Sequence, residues 1–480
     1  MKKQFLVLAA VATVVVTIVA VSCKRNLDAK GDFSPRATNA GWSNPDGLPL
    51  DVVPSQVNTG QTVTLTADKC WVLTGKCFVD DGGVLEIEEG TRVEAVKTAT
   101  SATSSAIVVT RGGQIRARGN EEAPIVFTSN ESCPHSGDWG GIVLLGKAPL
   151  NRADTTIEGI NLPTVPVGID VNYGGGGACL GDSLDNSGIL EFVRIEYAGA
   201  VISPDNELNG LTCGGVGAGT KLEHIEVVYG NDDAFEFFGG TVNAKWIIAL
   251  APDDDAFDFD FGYNGNIQFA VSILHDTLGY SANPNGIESD NNATGDCNTC
   301  KKTTAHISNM TVVGLCDSAT ERTIVGVPGG GLLHGAHFRR CSDLLVHNSV
   351  FMGFPNGIRF ESAGTIGNSG NFQYNTVQAF TTVSTGATLD ATNRGIRSAN
   401  ANVAAINLVQ PCSACNPDWR PVAGSTLLSD GVNFTGFPSS FFNTSVTYRG
   451  ACNTGNGADA TWPKAPWTKY DYPPYCVLCD

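Results

Sequence analysis

The sequence LEHIEVVYGNDDAFEFFGG, at Leu222–Gly240, is followed closely by a second copy of the same pattern, AKWIIALAPDDDAFDFDFG, at Ala244–Gly262. Asp233 corresponds to Asp255, which lies 22 positions later, and the Phe residues that follow the two acids correspond as well. Each copy consists of short β-forming runs separated by Gly, Asn and Asp. A repeat of this length and composition is typical of a solenoid, in which stacked coils bury a continuous core.

The composition favours strands and turns over helices. Among 480 residues there are 56 Gly and 22 Phe, and only 16% of residues are charged, whereas helices would need more Glu, Lys and Leu. The formal net charge of −18 repels nucleic acid and anionic lipid, and it is compatible with cations such as Ca²⁺. We expect no nucleic-acid partner. We also expect no nucleotide, because Gly174–Gly177 lacks the strand–glycine–helix context of a phosphate loop.

Further strand motifs precede the tandem copies. The chain reads GGVLEIEEGTRV at Gly82–Val93, RGGQIRARG at Arg111–Gly119, APIVFTS at Ala123–Ser129 and GDWGGI at Gly137–Ile142. These motifs resemble the opening coils of right-handed parallel β-helix surface proteins with a pectate-lyase-like architecture. Such proteins are common among the secreted and lipid-anchored lipoproteins of the Bacteroidota, and most of them are uncharacterised. The resemblance covers about residues 60–380 and implies architecture rather than activity.

The sequence therefore predicts an all-β fold, a right-handed parallel β-helix solenoid with coils of about 22 residues, long loop insertions and a disulfide-rich C-terminal cap. A solenoid needs cover for its last coil, because an open end exposes apolar side chains and unpaired strand edges. The aromatic side chains of this cap are an alternative glycan-binding surface. The predicted domains are a lipoprotein signal peptide at 1–22, a flexible tether at 23–58, the parallel β-helix at 59–404 and the cysteine-rich cap at 405–480.

The N-terminal sequence predicts the cellular location of the protein. Met1–Lys3 is basic, Phe5–Val21 is apolar and small residues precede Cys23, as in a secretory signal. Ala20–Cys23 resembles a bacterial lipobox, which implies that Cys23 is acylated and becomes the mature N-terminus. A permanent membrane anchor is the alternative, since the apolar run is close to spanning length. In both cases we expect an extracytoplasmic, membrane-tethered protein, lipid-anchored in the outer membrane on its cell-surface or periplasmic face.

The cysteines fit an oxidising compartment. Without Cys23, an even number of the 15 cysteines remains, as a disulfide framework requires. Cys70 and Cys77 flank one short run and are expected to pair, and Cys179 is expected to pair with Cys213. Three C-x-x-C pairs are further disulfide candidates, with a zinc site or a redox pair as the alternatives: Cys297 and Cys300, Cys412 and Cys415, Cys476 and Cys479.

Acidic side chains are expected to form a column on the outer face of the coils. Side chains alternate along a strand, so Phe235 and Phe237 should point inwards and Glu236 outwards. Stacking predicts one outward file of Glu236, Asp258, Glu288, Arg339 and Arg359, and a neighbouring file of Asp260, Asp290 and Glu361. Coils about 4.8 Å apart bring such carboxylates close together, which raises a pKa or recruits a cation. The candidate calcium ligands are Asp232, Asp233, Glu236, Asp253, Asp254, Asp255, Asp258, Asp260, Glu288 and Asp290.

Two other interpretations of these acids stay open. The first is a solvated face neutralised by Arg339, Arg359 and Asn side chains, with the Asp residues shaping turns. The second is catalysis, because four short segments are loosely similar to the motifs of polygalacturonase-type hydrolases: Asn231–Asp233, Asp254–Asp255, Leu333–Gly335 and Ile358–Arg359. Leu333 and Phe360 depart from those motifs.

Two reaction types are compatible with the catalytic interpretation. A hydrolase would use Asp254 or Asp255 as the acid and Asp233 as the base of an inverting pair. A lyase would use cation-bound acids to acidify a uronate α-proton, with Arg339 or Arg359 as the base. The candidate catalytic residues are Asp233, Asp254, Asp255, His334, Arg339 and Arg359.

The sequence favours a non-catalytic function. We expect a cell-envelope scaffold for binding or adhesion, whose sheet face and loops contact a polysaccharide, another glycan or a surface protein, with calcium as the candidate cofactor. The alternative is a polysaccharide lyase or glycoside hydrolase that uses the acidic cluster at 232–260.

Overall fold

The computed structural model of the chain describes residues 48–98, 103–131, 133–160, 162–203, 206–275, 284–318 and 334–472. Within these ranges 26 strands join through parallel pairings, and the helices are few and short. The fold is a parallel β-helix, as the sequence predicts. In the described part of the chain, no helix has the length and apolar character that crossing a membrane requires.

Each coil contributes one strand to each of three parallel sheets, which we call A, B and C in chain order. Sheet A contains β3 (Thr62–Leu65), β6 (Val84–Ile87), β9 (Gln114–Arg118), the first halves of β14 (Gly188–Glu196), β18 (Lys221–Val228), β20 (Asn243–Leu250), β22 (Asn266–Ile273) and β24 (His306–Val313), then β26 (Leu345–His347) and β28 (Phe372–Gln373). Sheet B contains β1 (Leu50–Val52), β4 (Cys70–Leu73), β7 (Arg92–Ala95), β10 (Ile125–Ser129), the second halves of β14, β18, β20, β22 and β24, the first half of β27 (Val350–Phe360), β29 (Thr376–Thr385) and β30 (Arg394–Arg397). Sheet C contains β2 (Gln56–Val57), β5 (Lys76–Val79), β8 (Ala106–Val109), β11 (Ile142–Leu145), β17 (Leu211–Gly214), β19 (Phe235–Phe238), β21 (Phe257–Asp260), β23 (Ile287–Ser289), β25 (His334–Phe338) and the ends of β27 and β29.

The remaining elements lie in loops and in the C-terminal region. Three short antiparallel pairs are formed by β12 (Thr155–Thr156) with β13 (Asn172–Tyr173), β15 (Val201–Ser203) with β16 (Asn206–Glu207), and β31 (Leu408–Gln410) with β32 (Asp418–Pro421). The helices are α1 (Ala363–Gly367), α2 (Ala458–Thr461) and 3₁₀ turns at Leu162–Thr164, Ser369–Asn371, Thr426–Leu428 and Trp462–Lys464.

The tandem repeat stacks in the register that the sequence predicts. Phe235 pairs with Phe257 and Phe237 with Phe259 in the next coil, and both pairs of rings stack in the interior with centroids 5.5 and 5.4 Å apart. All four rings are buried, and burying a side chain of this size stabilises the fold by roughly 1.5–3 kcal/mol. The stacked phenylalanines therefore fix which side chains of sheet C face outwards.

Sheets A and B meet at a corner that is made by one residue per coil in a left-handed conformation. This corner column consists of Phe192, His224, Trp246, Phe269, Asn309, Asn348 and Tyr374, whose φ angles lie between 53° and 62°. The conformation interrupts the two-residue alternation, so Leu222 and Ile225 both point into the core although they are three positions apart. One long strand can thus serve two sheets.

Two excursions from the coils cover the N-terminal half of the outer face of sheet C. The β12–β13 hairpin places Tyr173 against Phe238, with ring centroids 6.0 Å apart, and both side chains are buried. Ile157, Val171 and Leu208 join the same cluster. The long insertion at 147–187 is therefore packed onto the solenoid.

The C-terminal segment, residues 405–472, lies along the flank of sheet B. Lys469 donates its backbone N–H to Glu226 at 3.0 Å, and Arg449 donates to the carbonyl groups of Asn375 and Thr392, several coils further on. Trp462 and Trp467 are buried with it in a second apolar cluster outside the coils. The predicted cover is present, but it runs back along many coils and is not confined to the last one.

The disulfide pairing differs from the expected one. Cys179 bonds to Cys300, Cys297 to Cys341 and Cys316 to Cys412, so neither described C-x-x-C motif closes on itself. The expected Cys70–Cys77 and Cys179–Cys213 pairs are wrong, because Cys77 and Cys213 are buried free thiols inside the coils. Cys70 and Cys415 each take part in a separate disulfide bond.

Several predictions fall outside the described residues. They are the signal peptide, the acylated Cys23, the tether up to residue 47, Leu333, and the Cys476–Cys479 motif. The prediction that the tether extends to residue 58 is wrong, because β1 and β2 already pair with strands of the solenoid.

Candidate functional site

The outward file on sheet C contains three acids in register. Glu236 pairs with Asp258, and Asp258 pairs with Glu288. In the next two coils the file continues with His337 and Arg359. The prediction that Arg339 occupies this file is wrong. The strand register pairs His337, and not Arg339, with Glu288, and the inward Phe338 packs on Phe360 with ring centroids 5.5 Å apart.

Arg339 belongs to the neighbouring file, where it still contacts the acids. Its guanidinium forms ion pairs with Glu288 and, at 2.8 Å, with Asp290, and Arg340 also pairs with Asp290. Burial opposes the charge of Arg339, but the hydrogen bond to Asp290 and the charge of Glu288 raise its pKa above the ordinary value. Glu288 and Asp290 therefore have protein cations in direct contact with them.

A second column lies at the turn before sheet C and is built from short polar side chains. Asp233 accepts the backbone N–H of Asp255 at 2.8 Å, and Asp255 accepts that of Asn285 at 2.6 Å. Asn209 donates its side-chain amide to Glu236 and accepts the N–H of Asp233. These bonds fix one oxygen of each aspartate to the turn.

The turn column and the sheet file together bring carboxylates into two groups of three. Oxygen atoms of Asp232, Asp233 and Asp254 lie within 4.8 Å of one another, and so do those of Asp233, Glu236 and Asp258. We call these the outer and inner triads. Asp233 belongs to both, so the two triads form one continuous oxygen-lined site.

Burial and mutual repulsion disfavour the ionised form of these acids. They raise the pKa of Asp232 to about 8 and that of Asp254 to about 6, with the neighbouring aspartates as the main repelling charges. The pKa values of Asp233, Glu236 and Asp258 are raised well above the ordinary range, again first by burial and then by neighbouring carboxylates. Such a site is stable either with several protons or with a cation.

The other predicted ligands lie around the triads. Asp255 is buried beside them, and burial together with Asp254 and Glu288 raises its pKa. Asp253 lies next to Asp254, where its charge raises the pKa of that acid. Asp260 accepts the N–H of Phe261 at 2.6 Å, and burial raises its pKa to about 7. These residues add negative charge without belonging to either triad.

Two acids from the excursions complete the cluster. Burial and the charge of Glu207 raise the pKa of Glu158 to about 7, and both of these glutamates act on Asp232. Glu158 follows the β12 strand, and Glu207 ends β16. The excursions therefore extend the acidic surface as well as cover the sheet.

Predicted residues at the far end of the outward file line a separate cavity. His334, Arg359 and Glu361 line an open cavity of about 450 Å³. His334 is connected to the acids through Asn285, whose side-chain oxygen lies 3.1 Å from Nδ1 of His334. Burial and the neighbouring His337 and Arg359 lower the pKa of His334 to about 3, so this imidazole is neutral at neutral pH.

One further group of possible ligands is neutralised by a lysine. Glu191, Glu223 and the His224 ring lie close enough to hold a metal ion. Lys221, however, pairs with Glu191 at 2.5 Å and with Glu223 at 3.1 Å. This group has its counter-ion within the protein, whereas the inner triad does not have one at comparable range among the described ion pairs.

A sequence model of the family described as the pectate-lyase like beta helix domain matches residues 56–420. The chain belongs to this family. No curated protein and no solved structure matches the chain. Membership of the pectate-lyase-like β-helix family agrees with the observed coils, and the family description by itself assigns neither a substrate nor a catalytic residue.

For this member of the pectate-lyase-like β-helix family, the geometry bears on both catalytic interpretations. Carboxylate oxygens of Asp233 and Asp254 lie within 4.8 Å, whereas an inverting pair needs roughly 6.5–9.5 Å to admit a water. Arg339 is held in its charged form by two carboxylates, while a base must be able to accept a proton. The six candidate catalytic residues thus lie on one face but are divided between the acidic site and the His334 cavity.

Sequence reasoning missed five residues of the site. Strand parity could have placed His337, because Ala336 and Phe338 are both apolar and therefore inward. The turn column could have predicted Asn209 and Asn285, which precede their strands at the same offset as Asp233. Glu158 and Glu207 had no signal, since no periodicity relates the excursions to the coils.

Proposed function

We propose that this protein is a non-catalytic, calcium-dependent binding scaffold of the cell envelope, whose sheet C face holds a glycan or another surface component. The observation that carries the proposal is the pair of triads that share Asp233. Both triads consist of carboxylate oxygens only, and hard cations such as Ca²⁺ prefer such ligands.

Calcium is the simplest neutralising partner for the inner triad. Glu236 and Asp233 are 5% and 7% exposed, so bulk solvent screens their repulsion poorly. A buried like-charge group is uncommon without a counter-ion, and Arg339 is already paired with Glu288 and Asp290. A bound divalent cation would ionise the triads and order the turn column around them.

The part of the outward file that follows the acids supports an anionic glycan as the bound component. Arg359 lies two coils beyond Glu288 in the same file, so a guanidinium follows the acidic end along the solenoid axis. Arg359 is 42% exposed in its side chain and borders the open cavity. Carboxylates of a uronate chain would bind the calcium at one end and the guanidinium at the other.

The cellular role follows from the proposed anchor. Acylated Cys23 would hold the body on the outer membrane, and the polar tether would allow the solenoid to extend from it. A long, rigid β-helix with a binding face along its axis suits presentation of a surface that contacts an extended polymer.

The proposal is tested by a calcium titration in a calorimeter, with the chain from Lys24 onward. We expect saturable binding that the Asp254→Asn/Asp258→Asn variant loses, because each substitution removes one ligand from a different triad. The matched control is Asp81→Asn/Glu122→Gln, which changes the same charge at exposed positions and should bind normally. Binding of polygalacturonate should then require calcium. Absence of calcium binding by the unaltered chain would exclude the proposal.

A polysaccharide lyase is the second candidate function. The observation in its favour is that acids, His337 and Arg359 share one outward file, which is an arrangement that could bind a uronate next to a cation. The test is incubation with polygalacturonate and alginate in calcium, followed by ultraviolet absorbance of the unsaturated product. Turnover that is lost in Arg359→Lys and in Asp258→Asn would replace the binding function by catalysis.

A further inference from the structure

The corner column changes its chemistry part-way along the solenoid. Asn309 and Asn348 occupy it in two coils, and Asn tolerates a left-handed conformation better than most residues. Their side-chain amides donate to backbone carbonyl groups of the C-terminal segment, at Tyr448 and Asn433. At these two coils the corner residue turns the chain and fastens the cover.

Four preceding coils place ring side chains at the same corner. Phe192, His224, Trp246 and Phe269 have φ angles of 53°, 55°, 55° and 62°. A bulky side chain in this region is strained, and such strain concentrates at functional sites. Because Asn makes the same turn in the next two coils, the rings need an explanation other than the turn.

The four rings form a ladder under the C-terminal segment. Phe192 and His224 stack with centroids 4.2 Å apart, His224 and Trp246 at 4.6 Å, and Trp246 and Phe269 at 5.9 Å. Trp467 of the C-terminal segment meets the ladder edge-on, at interplanar angles of 81° to Phe192 and 88° to His224. The rings therefore form one wall of a space that the segment closes from the other side.

This space is a cavity of about 310 Å³ between the ladder and the C-terminal segment. Its volume lies at the lower end of the range for small-molecule sites, which is about 300–1,000 Å³. Trp462 and Trp467 add apolar walls, while its polar lining residues are Glu121, Asn443, Asp459 and Thr461. The cavity thus combines apolar walls with two carboxylates, an amide and a hydroxyl group.

We propose that this cavity, the ladder cleft, binds one neutral pyranose ring of a glycan. A pyranose has apolar C–H groups that suit aromatic walls, and its hydroxyl groups can donate to Glu121 and Asp459. An anionic sugar would be repelled by the two carboxylates. A cationic ligand is disfavoured because the Lys245 ammonium already lies over the rings of Trp246, at 5.6 Å, and Phe441, at 4.4 Å.

The ladder cleft is independent of the acidic site on sheet C. It lies at the corner of sheets A and B, and none of its lining residues belongs to the two triads. Binding to the cleft should therefore persist when calcium is removed by a chelator, which separates this proposal from the proposed function.

The test uses saturation-transfer NMR and tryptophan fluorescence on the chain from Lys24 onward, in a chelator. The probes are the methyl pyranosides of glucose, galactose, mannose and N-acetylglucosamine, with choline for comparison. We expect saturable binding of at least one pyranoside. Trp246→Asn should weaken it at least about tenfold, since aromatic anchors dominate small interfaces. Because Asn tolerates the left-handed conformation at this corner, the midpoint of thermal unfolding of this variant should stay within a few degrees of that of the unaltered chain.

The matched control is Tyr374→Asn, which makes a similar change at the same corner position in a later coil, outside the cavity. It should leave pyranoside binding unchanged. The proposal is overturned if no pyranoside binds, if Trp246→Asn binds as tightly as the unaltered chain, or if choline alone binds in a Trp246-dependent way. A large loss of stability in Trp246→Asn with unaltered binding would make the ladder purely structural.

Discussion

Asp233 is the residue that joins the two halves of the acidic site. One of its oxygens accepts the N–H of Asp255 and fixes the turn, while the carboxylate also belongs to both triads. Asp258 belongs only to the inner triad. The two residues therefore differ in how many cation positions each one supports.

This difference predicts the stoichiometry of calcium binding. Asp258→Asn should remove one of two bound ions, because the outer triad keeps all its ligands. Asp233→Asn should remove both. The measurement is calorimetric titration of each variant beside the unaltered chain. Equal stoichiometry in the two variants would contradict a shared ligand.

The raised pKa values predict the pH dependence of stability in a chelator. The unfolded chain releases the proton of Asp232 near the ordinary pKa of 3.8, whereas the folded protein holds it up to about 8. Folding is thus favoured at low pH, and the midpoint of thermal unfolding should fall as pH rises between these values. Excess calcium should remove the fall, since a cation stabilises the ionised acids. A midpoint that rises with pH in the chelator would disagree with this account.

At the level of residues, sequence could predict the acids but not all their partners. The tandem repeat places Glu236 opposite Asp258, since the copies are of equal length. Glu288 and His337 are far apart in the sequence, so counting residues along the chain predicts Arg339 instead of His337 at the next position of the outward file. The pairing of Glu288 with His337 settles the register there.

The phenylalanine stacks of sheet C predict a large stability effect. Phe257 is fully buried and stacks on Phe235 at 5.5 Å, so Phe257→Ala should reduce the free energy of unfolding by about 3–5 kcal/mol. The control is Leu184→Ala, at a side chain that is 70% exposed, which should change it by less than about 0.5 kcal/mol. Denaturant unfolding measures both. A small effect of Phe257→Ala would mean that the tandem coils are not packed as described.

At the level of elements, strands were predictable and connections were not. Alternation and Gly-rich turns identify β6, β9 and β18 because local pattern determines them. The disulfides of Cys179 and Cys297 connect residues 121 and 44 positions apart, to Cys300 and Cys341. Such pairings depend on how loops of unequal length fold back, which no local pattern contains.

The C-terminal segment is expected to protect the flank of the whole solenoid. It buries Tyr229, Ile248 and Val271 of the coils. Truncation after residue 404 should expose these side chains and cause self-association, because large apolar patches on a sheet promote it. Light scattering after gel filtration measures the oligomeric state, and the full chain is the control. A truncated chain that stays monomeric with an unchanged unfolding midpoint would show that the segment is not a cover.

At the level of the molecule, the sequence predicted the solenoid but not the path of its tail. Repeat length and turn composition are sufficient to predict the solenoid, because successive coils contribute strands to the same three sheets. The tail has few strands, and its position depends on contacts with distant residues such as Glu226 and Asn309.

The measurement that tests the central claim most directly is a crystal structure of the chain grown with calcium, with anomalous differences recorded. This account predicts two calcium peaks, one among Asp232, Asp233 and Asp254 and one among Asp233, Glu236 and Asp258, with Asp233 bridging them. Carboxylates that remain close together with no ion at either triad would contradict it.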